Sequence, residues 1–386
     1  MPVTTGKTGE AFMMRVVLIS GHDGASDRKT GFHFWAEILA RRGVDVNFVT
    51  VGSSPISLLK KHAKPLKKPF NTWAPIGERI HKYTWMPIFH PLNFSKKVLN
   101  YITWPLFLLY PFLMPRKLLE PLRSASIFII ENGAGPLLVP RLAKLCPKAR
   151  FIYNSSDRPG VVKFHPIIAQ SEKAAIPYFD LIRVNSSAMA SDFPPDAPVR
   201  YVPQAIDKSL FDFDYPNPYE GPRNIISVGD MLFDAPVIEQ MANAYPDWTF
   251  HLFGKGARLT KPFDNVREYG EFPFKQLIPY IKFADIGLAP YFPAPQASYL
   301  SQSSLKLVQY TYCQLPVVAP DFVKGQPHIH TYDPKIGERS VLDALQRAMD
   351  YDRSSIDRNS VLNWNDVIDR MIEYASNKPI NQAKRA

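Results

Sequence analysis

The order of apolar and amphipathic stretches along the chain constrains its fold more than any other feature. Short runs rich in Val, Ile, Leu and Phe, such as "RVVLIS", alternate with longer stretches such as "FHFWAEILARRG". The short runs are typical of strands buried on both faces, and the longer stretches are typical of helices. Strands that alternate with helices predict an α/β fold in which helices cover both faces of a parallel sheet.

The alternation occurs in two blocks that are separated by a segment of different composition. The first block continues with "VDVNFVTV", "SIFIIENG", "ARFIYNSSD" and "LIRVNSSAMASDF", and the second extends from "NIISVGDMLFD" to "PVVAP". The segment between them is rich in Pro, Asp, Tyr and Asn, which is typical of a linker. We therefore predict an N-terminal domain over residues 1–205, a linker over 206–223, a C-terminal domain over 224–360, and a helix and tail over 361–386 that can pack back on the first domain. Two such domains are expected to face each other across a cleft.

The formal net charge of +11 indicates an anionic partner. Nucleic acid, a nucleotide sugar and an anionic membrane surface all fit this charge. No compact nucleic-acid recognition motif accompanies it, so nucleic acid is not a predicted partner. The two cysteines, Cys146 and Cys313, make no disulfide framework, and no clustered Cys and His spacing suggests a structural metal. This cysteine usage fits a reducing cytoplasm.

A charge-free run, "YITWPLFLLYPFLM", lies between the basic pairs Lys96-Lys97 and Arg116-Lys117. It is shorter than the roughly 20 residues that a membrane-spanning helix needs, and two prolines interrupt it. Its aromatic residues and basic flanks favour a segment that lies in a membrane interface. The alternative is a buried pair of helices with a proline kink.

Polar residues at the ends of predicted strands are the candidates for chemistry, because ligands of open parallel sheets bind beyond the carboxyl ends of the strands. In the first block these candidates are His22, Asp23, Arg28, Glu131 and Asp157. A carboxylate opposite a basic wall can act as the general base that activates a hydroxyl nucleophile. For Asp157, in "YNSSD", the alternative is a turn that precedes Pro-Gly.

In the second block the stretch "SSLKLVQYTYCQLP" predicts a largely buried helix that Ser303 or Ser304 caps. Lys306 would lie in the first turn, where a cation opposes the helix dipole. Either its stem packs while its head reaches water, or it helps to hold an anion at the helix N-terminus. The upstream "FGKG" is only a weak phosphate-loop signal.

Taken together, these motifs resemble the bacterial xanthan-type glucuronosyltransferases, the GumK family. The resemblance covers "LISGHD", "ENG" and "FIYNSSD" in the first block, and "VGDMLFD", "GEFPFKQLIPYIKFADIGLAPY" and "YLSQSSLKLVQYTYCQLPVVAP" in the second. It weakens over residues 57–123 and at the C-terminus. Two departures stand out, because the loop at residues 24–27 differs and Gln314 replaces the glycine that is usual before Leu-Pro.

The resemblance implies a GT-B fold of two Rossmann-like domains and a metal-independent, inverting transferase without a cofactor. It would move glucuronic acid from UDP-glucuronate to a polyprenyl-diphosphate-linked oligosaccharide in exopolysaccharide synthesis. The enzyme would be peripheral, at the cytoplasmic face of the plasma membrane. The two alternatives are a UDP-sugar epimerase-like enzyme of the same fold and a non-catalytic, lipid-bound scaffold.

The resemblance also implies a role for individual residues. Asp157 would be the general base. His22, Asp23, Arg28 and Glu131 remain candidates for the acceptor site or the cleft. The residues implied to bind the donor are Met231, Glu271, Phe272, Tyr291, Lys306 and Gln309.

Overall fold

The computed structural model describes residues 14–27, 29–58, 66–94, 96–158, 164–294 and 297–377. These residues form two compact α/β units. The first unit contains the described residues up to Val184, together with Ser191–Arg200 and the residues from Ile368 onward. The second unit contains Asn185–Ala190 and Tyr201–Val367.

An eight-stranded sheet forms the centre of the first unit. Its strands in chain order are β1 Arg15–Ser20, β2 Asp45–Thr50, β3 Trp73–Gly77, β4 Ile80–Thr84, β5 Ile127–Glu131, β6 Arg150–Ser155, β7 Leu181–Val184 and β8 Val199–Tyr201. Their order across the sheet is β3-β4-β2-β1-β5-β6-β7-β8. Strand β1 pairs in parallel with β2 and β5, and β5 pairs in parallel with β6, whereas β3 and β4 are antiparallel. The predicted parallel core of the first block is therefore confirmed.

The helices of the first unit follow the predicted alternation. They are α1 Gly31–Arg41, α2 Pro55–Leu58, α3 Lys97–Leu108, α4 Arg116–Leu122, α5 Val139–Leu145 and α6 Pro166–Ala175. After β7 the strand–helix alternation predicts an α-helix, but Ser187–Asp192 form a 3-10 helix instead. Within the described part of the chain, no helix is both long and apolar enough to traverse a bilayer.

The second unit is built on a six-stranded sheet. The strands of this unit are β9 Ala205–Ile206, β10 Asn224–Val228, β11 Thr249–Phe253, β12 Val266–Gly270, β13 Ile286–Leu288, β14 Val317–Pro320, β15 Ile329–Tyr332 and β16 Leu362–Asn363. The large sheet has the order β12-β11-β10-β13-β14-β15 with parallel pairing, and β9 and β16 form a separate parallel pair.

Seven further α-helices follow in the described part of the chain. They are α7 Lys208–Asp212, α8 Ala235–Ala244, α9 Phe274–Phe283, α10 Leu300–Ser303, α11 Leu305–Tyr312, α12 Glu338–Met349 and α13 Trp364–Ser376. The hydrophobic core of the second unit lies between its large sheet and helices α8 and α12, through residues such as Ile238, Met241 and Leu345.

Two segments flank the second block. Residues 206–223, whose composition is that of a linker, lie within the second unit and contain α7. The last residues of α13 lie within the first unit, where Asp369 accepts two hydrogen bonds from Arg42, at 2.5 and 3.1 Å.

Helix α11 ends in a Schellman motif. The backbone N–H of Leu315 donates to the carbonyl of Tyr310 at 2.9 Å, and that of Gln314 donates to Thr311 at 3.1 Å. Gln314 has a φ of 55°, the left-handed conformation that glycine usually supplies at this position. Its side-chain amide donates to the carbonyl of Ile356 at 3.0 Å, which fixes the residue in this conformation.

Candidate functional site

The carboxyl ends of three neighbouring strands bring sequence-predicted residues of the first unit together. Strands β1, β5 and β6 are adjacent and parallel. His22 follows the end of β1, Glu131 is the last residue of β5, and Asp157 lies two residues beyond β6. All three therefore lie at one edge of the sheet.

Glu131 organises the turn after β1. Its Oε2 accepts hydrogen bonds from Ser20 Oγ at 2.5 Å and from the backbone N–H of Gly21 at 3.1 Å. The imidazole Nε2 of His22 lies 3.9 Å from Oε1 of the same carboxylate. Because Glu131 is buried and the His22 side chain is about half exposed, the pair presents its histidine side to solvent.

The loop that carries Asp157 is held on both sides of that residue. Asn132 Nδ2 donates to the Asp157 carbonyl at 3.2 Å, and Ser156 Oγ donates to Asn132 Oδ1 at 3.2 Å. On the other side, the Arg158 guanidinium donates to both carboxylate oxygens of Asp192, at 2.7 and 3.0 Å. Asp157 itself is partly exposed.

Asp23, another candidate, has a different environment. Its buried carboxylate forms an ion pair with Lys82, with a separation of 3.2 Å. It also accepts hydrogen bonds from Thr84 Oγ1 at 3.2 Å and from the backbone N–H groups of Ala25 and Lys67, at 2.8 and 3.0 Å. A carboxylate with these four partners fixes the loop after β1, so we interpret Asp23 as structural. The candidate Arg28 lies outside the described residues.

In the second unit, two glycine-rich loops interlock at the carboxyl ends of β10 and β11. Gly229 N–H donates to the Phe253 carbonyl at 2.7 Å. Gly254 has a φ of 146°, and a Cβ there would lie 3.1 Å from the Gly229 carbonyl carbon. Asp230 Oδ2 accepts a hydrogen bond from the Gly256 N–H at 2.8 Å. The "FGKG" loop is therefore fastened to the "VGD" loop through one of its own amides.

Lys306 extends from the first turn of α11 toward these loops. Its Nζ lies 4.8 Å from the centroid of the Tyr291 ring, and its Cε would lie 4.0 Å from a Cβ added at Gly229. The residue keeps part of its surface accessible, but burial of the ammonium group lowers its pKa to about 7, and the negative charge of Asp230 opposes this shift.

The hydroxyl that was predicted to cap this helix has another partner. Ser304 does occupy the N-cap position of α11, but its side chain makes no capping hydrogen bond. Instead its Oγ lies 2.5 Å from the Tyr291 hydroxyl. Ser303 ends the preceding helix, α10, so it does not cap α11 either. The first N–H groups of α11 are thus not satisfied by Ser304, as an anion-binding helix terminus requires.

The other candidates for donor binding lie in the second unit. Met231 is exposed beyond β10, and Gln309 is buried on α11, three residues after Lys306. Glu271 is exposed directly after β12. Phe272 packs in an aromatic cluster, with its ring centroid 5.4 Å from that of Phe253, 6.0 Å from Tyr269 and 5.8 Å from Tyr280. Their roles toward a donor stay predictions.

The charge-free run forms most of α3 and the residues that follow it. Eight apolar side chains of α3 and of these following residues are exposed, with exposed fractions from 42% to 81%: Val98, Leu99, Tyr101, Ile102, Leu106, Leu108, Leu109 and Phe112. We call these eight residues the exposed apolar surface. Phe107 and Tyr110 point inward and are buried. The alternative of a buried helix pair with a proline kink does not fit this exposure.

Some residues of the site escaped prediction. Asn132 lies in the quoted "ENG" turn, and its place after a strand was a usable signal. The partner of Arg158 had no such signal, because Asp192 lies 34 residues further along the chain.

Comparison with known proteins gives two sequence findings. A family model described as the N-terminal domain of glucuronosyltransferase GumK matches residues 18–185. The UDP-glucuronate:glycolipid 2-beta-glucuronosyltransferase of Xanthomonas campestris pv. campestris is 30% identical over 360 residues, which cover 92% of this chain and 89% of that protein.

Similar folds occur among solved structures. Sucrose-phosphate synthase from Thermosynechococcus elongatus has a TM-score of 0.63 at 15% identity, over 93% of this chain and 98% of that chain. A trehalose-phosphate synthase from Burkholderia xenovorans has a TM-score of 0.54 at 10% identity, over 94% of this chain and 100% of that chain. These likenesses concern the fold alone, and they confirm the predicted GT-B class.

Proposed function

This chain belongs to the GumK family of glucuronosyltransferases, and from that membership we propose that it moves glucuronic acid from UDP-glucuronate to a polyprenyl-diphosphate-linked oligosaccharide. The observation that carries the proposal is the 30% identity to the Xanthomonas enzyme, because it extends over 92% of the chain. That enzyme's name specifies UDP-glucuronate and a glycolipid, and both are proposed here as the substrates of this chain.

The second unit supports a metal-independent departure of UDP. When the sugar leaves, negative charge on the diphosphate must be stabilised, and an ammonium group beside a helix N-terminus can do this. Lys306 supplies such an ammonium group, and α11 supplies N–H groups that Ser304 does not cap. Tyr291 positions both residues, through its ring against Lys306 and its hydroxyl against Ser304.

Asp157 is the proposed general base in the first unit. It takes the proton of the acceptor hydroxyl while that oxygen forms a bond to the anomeric carbon. The bond from the same carbon to UDP breaks, and its electron pair leaves with the diphosphate. A single displacement of this kind inverts the anomeric configuration. Support for Asp157 comes from its place at the carboxyl edge of the sheet, beside His22 and Glu131.

The exposed apolar surface supports peripheral attachment to the inner face of the plasma membrane. A polyprenyl-linked acceptor stays in the leaflet, so the enzyme must meet its sugar at the interface. Basic residues next to an anionic leaflet contribute about 1 kcal/mol each to binding. Lys97 and Arg116 begin the two helices of this region, and Arg116 is almost fully exposed.

The proposal is tested with a panel of UDP-sugars and an extract of lipid-linked oligosaccharides, with product detected by mass spectrometry. We expect a product only with UDP-glucuronate, undiminished by EDTA, and none with Asp157→Asn. Asp196→Asn, which changes an exposed aspartate of the same unit, is the control and should keep full activity.

Three outcomes would contradict the proposal. Conversion of the UDP-sugar without any acceptor would indicate an epimerase-like enzyme. Normal polysaccharide output in cells that carry Asp157→Asn would indicate a non-catalytic scaffold. Loss of all turnover in EDTA would contradict the metal-independent mechanism.

A further inference from the structure

We propose that Arg158 and Asp192 are positioning residues, which hold the loop of the catalytic base in its working geometry. This inference rests on the proposed function, because it assigns Asp157 the role of general base. Neither residue is proposed to touch the substrate. They act through the backbone at residues 156–158.

The ion pair has a geometry that an ordinary surface salt bridge lacks. Two guanidinium nitrogens of Arg158 reach the two carboxylate oxygens of Asp192, at 2.7 and 3.0 Å. Most exposed ion pairs contribute little, because both side chains stay mobile and solvated. Here the Arg158 side chain is only 14% exposed and the Asp192 side chain 38%. Two parallel hydrogen bonds also fix the orientation of the guanidinium group relative to the carboxylate, in addition to their distance. The pair can therefore hold a backbone position.

Asp192 is itself anchored to the strand that leads to the base. It ends the 3-10 helix Ser187–Asp192, and the next residue, Phe193, is buried. The Phe193 ring lies edge-on to Tyr153 of β6, with 6.4 Å between the ring centroids. Tyr153 also stacks on Phe179, at 5.0 Å. Asp192, the partner of Arg158, is therefore held in position by the hydrophobic core that packs against β6.

A second clamp holds the opposite side of Asp157. Asn132 donates to the carbonyl of Asp157 and accepts from the hydroxyl of Ser156, both at 3.2 Å. Three consecutive residues of the loop are therefore bound, two by Asn132 and one by Asp192. A general base must be placed to within a fraction of an ångström, and a misplacement of about 1 Å can cost about 100-fold in rate. Two clamps around one carboxylate fit that requirement.

The negative charge of Asp192 interacts unfavourably with a second carboxyl group, that of Glu172, so a neighbouring cation should stabilise it. The buried carboxyl of Glu172 accepts a hydrogen bond from Tyr153 Oη at 2.9 Å. Burial raises the pKa of Glu172 to about 7, and the negative charge of Asp192 adds to this shift. The carboxyl groups of Glu172 and Asp192 repel each other when both are ionised. The guanidinium of Arg158 offsets the charge of Asp192, so its removal should loosen the loop as well as unpair Asp192.

The test uses the full chain with lipid-linked acceptor and compares Arg158→Gln, Arg158→Lys, Asp192→Asn and the exchange Arg158→Asp/Asp192→Arg. We expect kcat to fall about 10- to 100-fold in Arg158→Gln and Asp192→Asn. KM for the donor and calorimetric UDP affinity should stay within about 2-fold, because the donor pocket lies in the other unit. Arg158→Lys should be intermediate, since lysine cannot form the two parallel hydrogen bonds, and the exchange should recover at least about 5-fold over either single change.

Arg42→Gln is the matched control. Arg42 forms the same two-bond contact with Asp369 in the same unit, at 2.5 and 3.1 Å. Its loss should leave kcat unchanged.

Three results would overturn the proposal. If kcat in Arg158→Gln stays within 2-fold of wild type while Asp157→Asn is inactive, the positioning role is wrong and the base assignment stands. If Asp157→Asn keeps full activity, the base assignment itself fails. A loss of kcat that follows only the folded fraction in thermal unfolding, with no recovery in the exchange variant, would make the pair merely structural.

Discussion

The surroundings of Lys306 lead us to expect that its ionisation is coupled to UDP binding. Burial lowers its pKa to about 7, from a usual value near 10.5, so near neutral pH a large share of the molecules carry a neutral amine there. A bound diphosphate would favour the ammonium form through direct charge attraction. Binding of UDP should therefore draw a proton onto Lys306.

UDP affinity should consequently depend on pH with a definite sign. Below pH 7 the ammonium is already present and affinity should be greatest. As pH rises above 7, binding must also take up a proton, so affinity should fall, by up to about tenfold for each pH unit. Calorimetry from pH 6 to 8.5, in two buffers of different ionisation enthalpy, measures both the affinity and the proton uptake.

Lys306→Gln provides the control for titration of the nucleotide itself. It should bind UDP about 10- to 100-fold more weakly at pH 6.5, because a charge-assisted contact is lost. Its affinity should lack the decline above pH 7. The same decline in both proteins would exclude Lys306 as its source.

At the scale of elements, Tyr310 connects helix α11 to its sheet. The Tyr310 hydroxyl accepts a hydrogen bond from the Val228 N–H at 3.1 Å and lies 3.3 Å from the Ile226 carbonyl oxygen. Its ring fills the space above Gly287, where an added Cβ would lie 2.5 Å from Tyr310 Cδ2. The position of Lys306 on this helix therefore depends on how closely Tyr310 approaches the sheet.

Gly287→Ala should push α11 away from the sheet. We expect the free energy of unfolding to fall by about 1–3 kcal/mol, as for overpacked cores, and UDP affinity to weaken with it. Urea denaturation and calorimetry measure the two effects. Gly221→Ala is the control, because no atom outside its chain neighbours lies within 4 Å of the added carbon. Equal stability of the two variants would contradict this packing account.

Elements whose formation depends on the local sequence pattern were predicted from the sequence. Elements whose formation depends on residues far away in the chain were missed. The strands β1, β5 and β6 have continuous apolar runs and were predicted. The hairpin of β3 and β4 was not, since its "IHKYT" strand contains Lys82, whose buried charge is paired with Asp23 from the loop after β1.

The site shows the same limit. Lys306 was singled out because a cation in a first helical turn is locally unfavourable. The bond between Ser304 and Tyr291 could not be foreseen, because local pattern favours the capping role. Likewise, nothing near Arg158 in the sequence specifies Asp192.

At the scale of the whole molecule, an excess of positive charge accompanies the exposed apolar surface. The net charge is +11, and side chains such as Tyr101 and Phe112 are 81% and 71% exposed. Charge brings a protein to an anionic leaflet, and apolar side chains hold it there. Either interaction alone, electrostatic or hydrophobic, gives only weak attachment.

Vesicle binding should therefore require both the positive charge and the exposed apolar surface. We expect sedimentation with vesicles that contain anionic phospholipid, weaker binding to neutral vesicles, and release as the salt concentration rises. The double variant Ile102→Asp/Phe112→Asp should bind at least about tenfold more weakly, since it removes apolar area and adds negative charge. Ile336→Asp, at an exposed position of the second unit, should bind like wild type. Equal binding of the double variant would exclude this surface as the point of attachment.

Gln314 has a consequence for finding related enzymes. The turn after α11 requires a residue with a left-handed backbone conformation. In this chain that residue is Gln314, whose side-chain amide donates a hydrogen bond to the Ile356 carbonyl. The requirement at that position is conformational, not a matter of residue identity. A sequence pattern that requires glycine before Leu-Pro would miss this chain. A pattern that requires Lys306 and a left-handed residue at position 314 would include it.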